Sequence, residues 1–146
     1  MSAVLQFRDY HILESHYKFN PYFQEFDEEV KLTPQISYKL ETNPQTFEEA
    51  IIYLGIEIGD EDLRDFNFYA KAKVSGFFLM HPNEEMSEEE ILSFYKYNAV
   101  AILFPYLRSI ISDITSKGSE TPIILPTMNI VKMIEENEFK EVKNDF

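Results

Sequence analysis

Cysteine is absent from this 146-residue chain, so it can form no disulfide, offers no thiol nucleophile and supplies no thiolate to a metal. Only 4 residues are glycine, and none sits in a run able to cradle a phosphate; no G-x-x-x-x-G-K occurs. Basic residues are scarce as well. Thirteen Lys and Arg stand against 26 Asp and Glu, for a formal net charge of −13. No two basic residues are adjacent, which removes the electropositive face that phosphate-backbone binding needs. The first residues, Met1 to Ser15, lack a basic stretch followed by an apolar one, so no secretory signal is expected there and the cytoplasm is the expected compartment. No run approaches eighteen uncharged apolar residues, and no membrane span is expected.

What remains is a chain that is 45% hydrophobic and 27% charged, a globular composition of a length suited to one domain, residues 1–146. It carries 13 Phe and 9 Tyr but no Trp. A core absorbs many of these rings. Aromatic residues are also enriched at interfaces and adaptable grooves.

The first half reads as strands. Between Asp65 and His81 the even positions are Phe66, Phe68, Ala70, Ala72, Val74, Gly76, Phe78 and Met80, and the odd ones up to Ser75 are polar or Tyr69. That alternation defines a strand with one buried and one wet face. Ile52, Leu54, Ile56 and Ile58 do the same, and Gly59 to Arg64 is turn chemistry, so the two segments predict a hairpin. Ile36, Tyr38 and Leu40 mark a shorter strand. Val4 to Lys18 gives a first one, with Leu5, Phe7 and Leu13 inward. The expectation is a mostly antiparallel sheet of about four strands. Between the first two lies a Pro-punctuated segment carrying Phe19, Tyr22, Phe23 and Phe26, rings that either plug the sheet or line an open groove.

The second half reads as helix. Ser87-Glu-Glu-Glu90 is a capping box, and apolar residues recur from Ile91 to Ile114 before Lys117-Gly118 closes the element. From Ala99 to Leu107 no charge occurs around the whole circumference. A helix packed on one sheet keeps a polar outer face. Ala99, Val100, Ile102, Leu103, Phe104 and Leu107 are therefore expected at a contact between protomers. Next come Ile123, Ile124, Leu125 and Met128, extended and apolar around prolines, and then Asn129 capping a short final helix through Val131, Ile134 and Phe139. The charged end from Glu135 to Phe146 reads as a solvated helix face and tail.

Chemistry is not signalled. His11 and His16, five apart on a strand, should face opposite ways and share no metal. His81 reads as structural or exposed. Acid clusters at Glu84-Glu85, Glu88 to Glu90 and Glu135-Glu136 read as caps and solvated faces rather than cation sites. No catalytic residue, metal or cofactor is expected, and no enzyme.

Asn98-Ala-Val-Ala-Ile-Leu-Phe-Pro-Tyr-Leu-Arg108, the basic residue and glycine closing that helix, Ile123 to Ile130, and Phe68 to Phe78 with Gly76 in place together resemble the SecB export-chaperone family. The likeness runs from about Leu5 to Ile134. It implies an α+β protomer, a four-stranded antiparallel sheet followed by a long helix and a short C-terminal helix, assembled as a dimer of dimers. It implies an ATP-independent chaperone that holds unfolded polypeptide, such as preproteins for export, in apolar grooves and passes it to the translocase ATPase. Phe19, Tyr22, Phe23, Phe26, Ile123, Ile124, Leu125 and Met128 are the peptide-binding candidates. The sequence departs from the family at Thr127, where proline is expected, at Lys71 and Lys73 on the otherwise acidic ATPase-docking face, and in its short tail. The family also includes chaperones dedicated to an antitoxin, and a non-chaperone oligomeric module stays open as the rival class.

Overall fold

A computed structural model describes residues 5–22, 33–118, 129–136, 138–143 and 146. Four long strands come first: β1 (Leu5–Phe19), β2 (Gln35–Thr42), β3 (Glu49–Gly59) and β4 (Phe68–Met80). Helix α1 (Glu88–Gly118), helix α2 (Ile130–Glu135) and a three-residue strand β5 (Phe139–Glu141) follow. The sheet runs in the order β1-β4-β3-β2-β5, antiparallel except where β5 lies parallel to β2. The expected architecture holds, with β5 as an addition.

Period-2 patterning sets which face is buried. Ala70, Ala72, Val74, Phe78 and Met80 of β4 and Ile52, Leu54, Ile56 and Ile58 of β3 lie under α1. Turn chemistry fixes their register. Gly59 has φ of +89°, and a Cβ there would collide with the Phe68 carbonyl, so only glycine can start this turn. The Asp60 carboxylate then accepts from the backbone N–H groups of Asp62, Arg64 and Asp65 at 3.0, 2.8 and 3.0 Å. Those three donors, Asp65 foremost, hold its carboxyl below the usual range.

Strand β1 departs from the simple alternation. Its register against β4 slips between Phe7 and Asp9 and again between Ile12 and Glu14. Each bulge spends one extra residue and flips the side chains that follow. Leu13, expected inward, is therefore half exposed, while Leu5, Phe7, Tyr10 and Tyr17 pack on the core. The second bulge also corrects the histidine reading. His11 pairs with Ser75 and His16 with Lys71, positions on the same outward face, so the two do not point opposite ways. Among the described residues no group of His, Asp or Glu is placed to hold a metal.

Helix α1 begins as its sequence requires: the Ser87 hydroxyl accepts from the Glu90 N–H at 3.1 Å and donates to the Glu90 carboxylate at 3.2 Å. Its inner stripe is Ile91, Tyr95, Ala99, Leu103, Leu107, Ile111 and Thr115, at a spacing of four, flanked by Val100 and Phe104. One window of this helix is apolar enough, at mean hydropathy 1.2, to cross a membrane by length and composition. Here 39% of that window is buried inside the fold, along the stripe that faces the sheet. Gly76 marks the closest approach: a Cβ there would lie 2.8 Å from Leu103 Cδ2 and 2.9 Å from the Phe78 ring.

Tyr95 is fully buried and donates its hydroxyl to the Phe47 carbonyl at 2.7 Å. Burial first, then the Glu48 and Glu49 carboxylates, push its pKa up to about 12. The folded state thus keeps this proton above the pH at which the unfolded chain, near 10, gives it up. Stability from this group is complete below pH 10 and is lost as pH rises toward 12. Urea midpoints should fall over that interval. Tyr95→Phe should be less stable at neutral pH, because it orphans the carbonyl, yet show a shallower alkaline decline.

Candidate functional site

Of the peptide-binding candidates, Phe19 and Tyr22 are described; Phe23, Phe26, Ile123, Ile124, Leu125 and Met128 lie outside the described residues. Phe19 ends β1 and is 45% exposed. Tyr22 follows in a turn, with its N–H bonded to the Asn20 side chain at 2.9 Å, and is 89% exposed. A ring held that far into solvent by an ordered turn contributes nothing to the core.

The second segment starts at the same place. Gly118, the last residue of α1, lies against the Tyr17 ring so closely that a Cβ would clash with it. β1 runs only two residues beyond Tyr17, to Phe19, and α1 ends at Gly118. The ends of β1 and α1, far apart in sequence, therefore meet at one corner of the fold.

The six helix residues expected between protomers divide differently. Ala99, Val100, Leu103, Phe104 and Leu107 are buried within the chain's own fold, beneath α1. The sheet and β5 cover a wider arc of the helix than a single stripe: Phe139 of β5 comes within 6.2 Å of the Phe104 ring. Only Ile102 of the six keeps part of its surface outward. Around it the outer side of α1 presents Ala101, Pro105, Tyr106 and Ser109, a surface free of charge. Tyr106 is 42% exposed and rests on Tyr10 at 4.7 Å and Phe7 at 5.7 Å. It joins the helix surface to β1, whose Ile12 and Leu13 are also exposed. Sequence reasoning missed this β1 patch, because neither the bulge at Leu13 nor the exposure of Ile12 at the sheet edge leaves a mark in the periodicity.

The outward face of the sheet carries Lys71 and Lys73. Both reach Glu14, at 3.7 and 4.0 Å, and Glu57 stands opposite Lys71 in the ladder. The face is mixed in sign. Tyr69 lies beside it with its pKa raised by burial and by the Glu57 and Glu61 carboxylates. Lys18 sits 5.5 Å from its ring.

The described protomer is an α+β fold with Phe19 and Tyr22 exposed beside the end of α1. Comparison with known proteins gives the family. The family model described as preprotein translocase subunit SecB matches residues 20–141, and the chain belongs to the SecB family, which is not an enzyme family. An uncharacterized protein of Methanocaldococcus jannaschii is 31% identical over 144 residues, 98% of this chain and 89% of that one. The protein-export protein SecB of a Wolbachia of Drosophila simulans is 28% identical over 110 residues, 73% of this chain and 66% of its own length. Among solved structures, a Mycobacterium tuberculosis SecB-like chaperone in complex with a ChAD peptide from the HigA1 antitoxin superposes with a TM-score of 0.64. It is 17% identical and covers 86% of this chain and 88% of its own, a likeness of fold.

Proposed function

We propose that this protein is an ATP-independent, cytosolic chaperone that binds unfolded polypeptide at the corner where the ends of β1 and α1 meet. Family membership supports the chaperone role. The observation that supports the site is the Gly118–Tyr17 contact, which sets the end of α1 against β1 near the exposed Phe19 and Tyr22. Unfolded chains offer scattered apolar side chains and extended backbone, and a tolerant receptor answers with repackable apolar rings. Phe23, Phe26, Ile123, Ile124, Leu125 and Met128 complete that surface in this reading. The test is the aggregation of a denatured model protein on dilution. Near-stoichiometric chaperone should suppress it without nucleotide, and failure to suppress it at any ratio would remove the reading.

Preproteins for export are the client class that the family's description favours. A client of antitoxin type is the second reading, favoured by the partner bound to the structural relative. Docking to the translocase ATPase through the outward sheet face is not part of the proposal, since Lys71 and Lys73 leave that face without a uniform acidic sign.

Assembly as a dimer of dimers belongs to the same proposal. Two surfaces support it: the outer side of α1 around Ile102 and the exposed apolar residues Ile12 and Leu13 on the edge strand β1. Light scattering should give about four times the 17.3 kDa chain mass. Ile102→Asp should split the assembly while the protomer stays folded, because a carboxylate buried between subunits costs several kcal/mol whereas a half-exposed one does not. Val100→Asp would not serve. That side chain is fully buried in its own protomer, and the change should unfold it.

A further inference from the structure

Strand β5 occupies little of the edge it pairs with. Phe139, Lys140 and Glu141 stand opposite Ile36, Ser37 and Tyr38, and the Val142 N–H donates to the Tyr38 carbonyl at 2.8 Å. The eight-residue β2 continues past that point to Thr42. Just where β5 stops, a cleft of about 520 Å³ opens between β2 and the first turns of α1, lined by Tyr38, Leu40, Leu92, Lys96, Glu88 and Glu141.

The segment is held at two points. Phe139 is buried against Phe104. At the other end Phe146 crosses to the outward face of the sheet, 5.0 Å from the Lys73 ammonium and so close over Gly55 that a Cβ there would lie 3.0 Å from its ring. Lys140, Glu141 and Lys143 between these anchors are exposed. Two aromatic anchors joined by a short parallel ladder are how an extended peptide adds to a sheet edge.

We propose that the β2 edge is a second polypeptide-binding site, occupied at rest by the chain's own residues 139–142 and taken by an extended client segment that displaces them. The proposal rests on the chaperone reading for the identity of the displacing client. The driving difference is length. A segment that runs along all of β2 forms the ladder that β5 forms and continues it over Leu40 to Thr42, with one more inward side chain entering the cleft. Side chains alternate along a strand. The ligand class is therefore an extended stretch with an aromatic residue for the Phe139 position, a polar one two residues on, and an apolar one two further to meet Leu40 and Leu92.

The test uses the full chain and two probes. The first is a reduced, alkylated and permanently unfolded protein, its binding followed by fluorescence anisotropy and its effect by hydrogen exchange. At saturation, residues 139–142 should lose protection at least tenfold while Gln35–Tyr38 stay protected. Unchanged protection of 139–142 in a saturated complex overturns the proposal. The second probe is a labelled peptide with the sequence of residues 138–146. Val142→Pro, which removes the N–H bonded to Tyr38, and separately Gly55→Leu, which displaces the Phe146 ring, should each bind it at least tenfold more tightly than the native chain. Equal binding by native and both variants, or binding by none, overturns the proposal. This arm needs no client. If the unfolded protein fails to bind the native chain, the chaperone reading falls while the peptide still decides whether the edge is exchangeable.

Discussion

Replacing Phe19 and Tyr22 together by alanine should raise the chaperone-to-client ratio needed for half-suppression of aggregation at least fivefold, with little change in melting temperature. The expectation follows from where the rings are. Tyr22 is 89% exposed, so its truncation removes little buried surface, and Phe19, 45% exposed, sits at the last pair of the β1–β4 ladder. Substitutions at such positions change stability by no more than about 0.5 kcal/mol, a shift of about 2–4 °C at most. A client, by contrast, would bury both rings, and fully burying an apolar side chain of this size is worth about 1.5–3 kcal/mol. Calorimetry and the dilution assay on the same samples separate the outcomes. Lost suppression with an unchanged melting temperature places client contact at this corner. Full suppression by the double variant would move the contact elsewhere.

The second large effect concerns Gly76 and Leu103. Gly76→Ala should destabilise the protomer by about 1–3 kcal/mol, because the new methyl meets Leu103 Cδ2 at 2.8 Å and the Phe78 ring at 2.9 Å in a packed interior. Leu103→Ala, at a fully buried position, should cost about 2–5 kcal/mol through lost burial and the cavity left behind. Combined, the two changes should cost less than their sum. The methyl at residue 76 grows into space that the leucine vacates, so the coupling is favourable. Urea denaturation of the four proteins measures it. Strict additivity would mean that α1 rides over β4 at a greater distance than this contact implies.

These contacts show which parts of the molecule the sequence makes legible. Strands β3 and β4 alternate cleanly because each has one face under α1 and one face wet, so burial is written in their period. The Ser87–Glu90 cap and the Asn129 cap are local devices, complete within four residues, and both form as expected. Strand β1 is harder. Its two bulges are set by pairing with β4, which the β1 residues do not encode on their own, and Leu13 and the histidines were misplaced for that reason. Strand β5 is shorter still. Phe139 reads as the end of a helical stripe, but α2 stops at Glu135, and an open edge of β2 captures the next apolar residue. The uncharged circumference of α1 suggests a neighbouring subunit; Ala99, Val100, Leu103, Phe104 and Leu107 are covered from within, and Ile102, Pro105 and Tyr106 keep outward surface. Two layers contribute there, the sheet below and Phe139 beside it. At the proposed binding corner the apolar segments are legible in the sequence, whereas the meeting of Gly118 with Tyr17 is a contact between distant residues with no local signature.

The strand order has a consequence for the newborn chain. Strands β2, β3 and β4 are joined as successive hairpins and can zip together soon after they appear. Strand β1 is made first, yet its partner in the sheet is β4, whose first residue, Phe68, follows Phe19 only after two intervening strands have been synthesised. At about 5–20 residues per second, that leaves β1 without its partner for roughly 2–10 s on the ribosome. During this interval Leu5, Phe7, Tyr10, Ile12 and Tyr17 are exposed together on an unpaired strand. A protein of this design therefore begins life as the kind of polypeptide it is proposed to hold, with its first apolar strand waiting in water for the fourth.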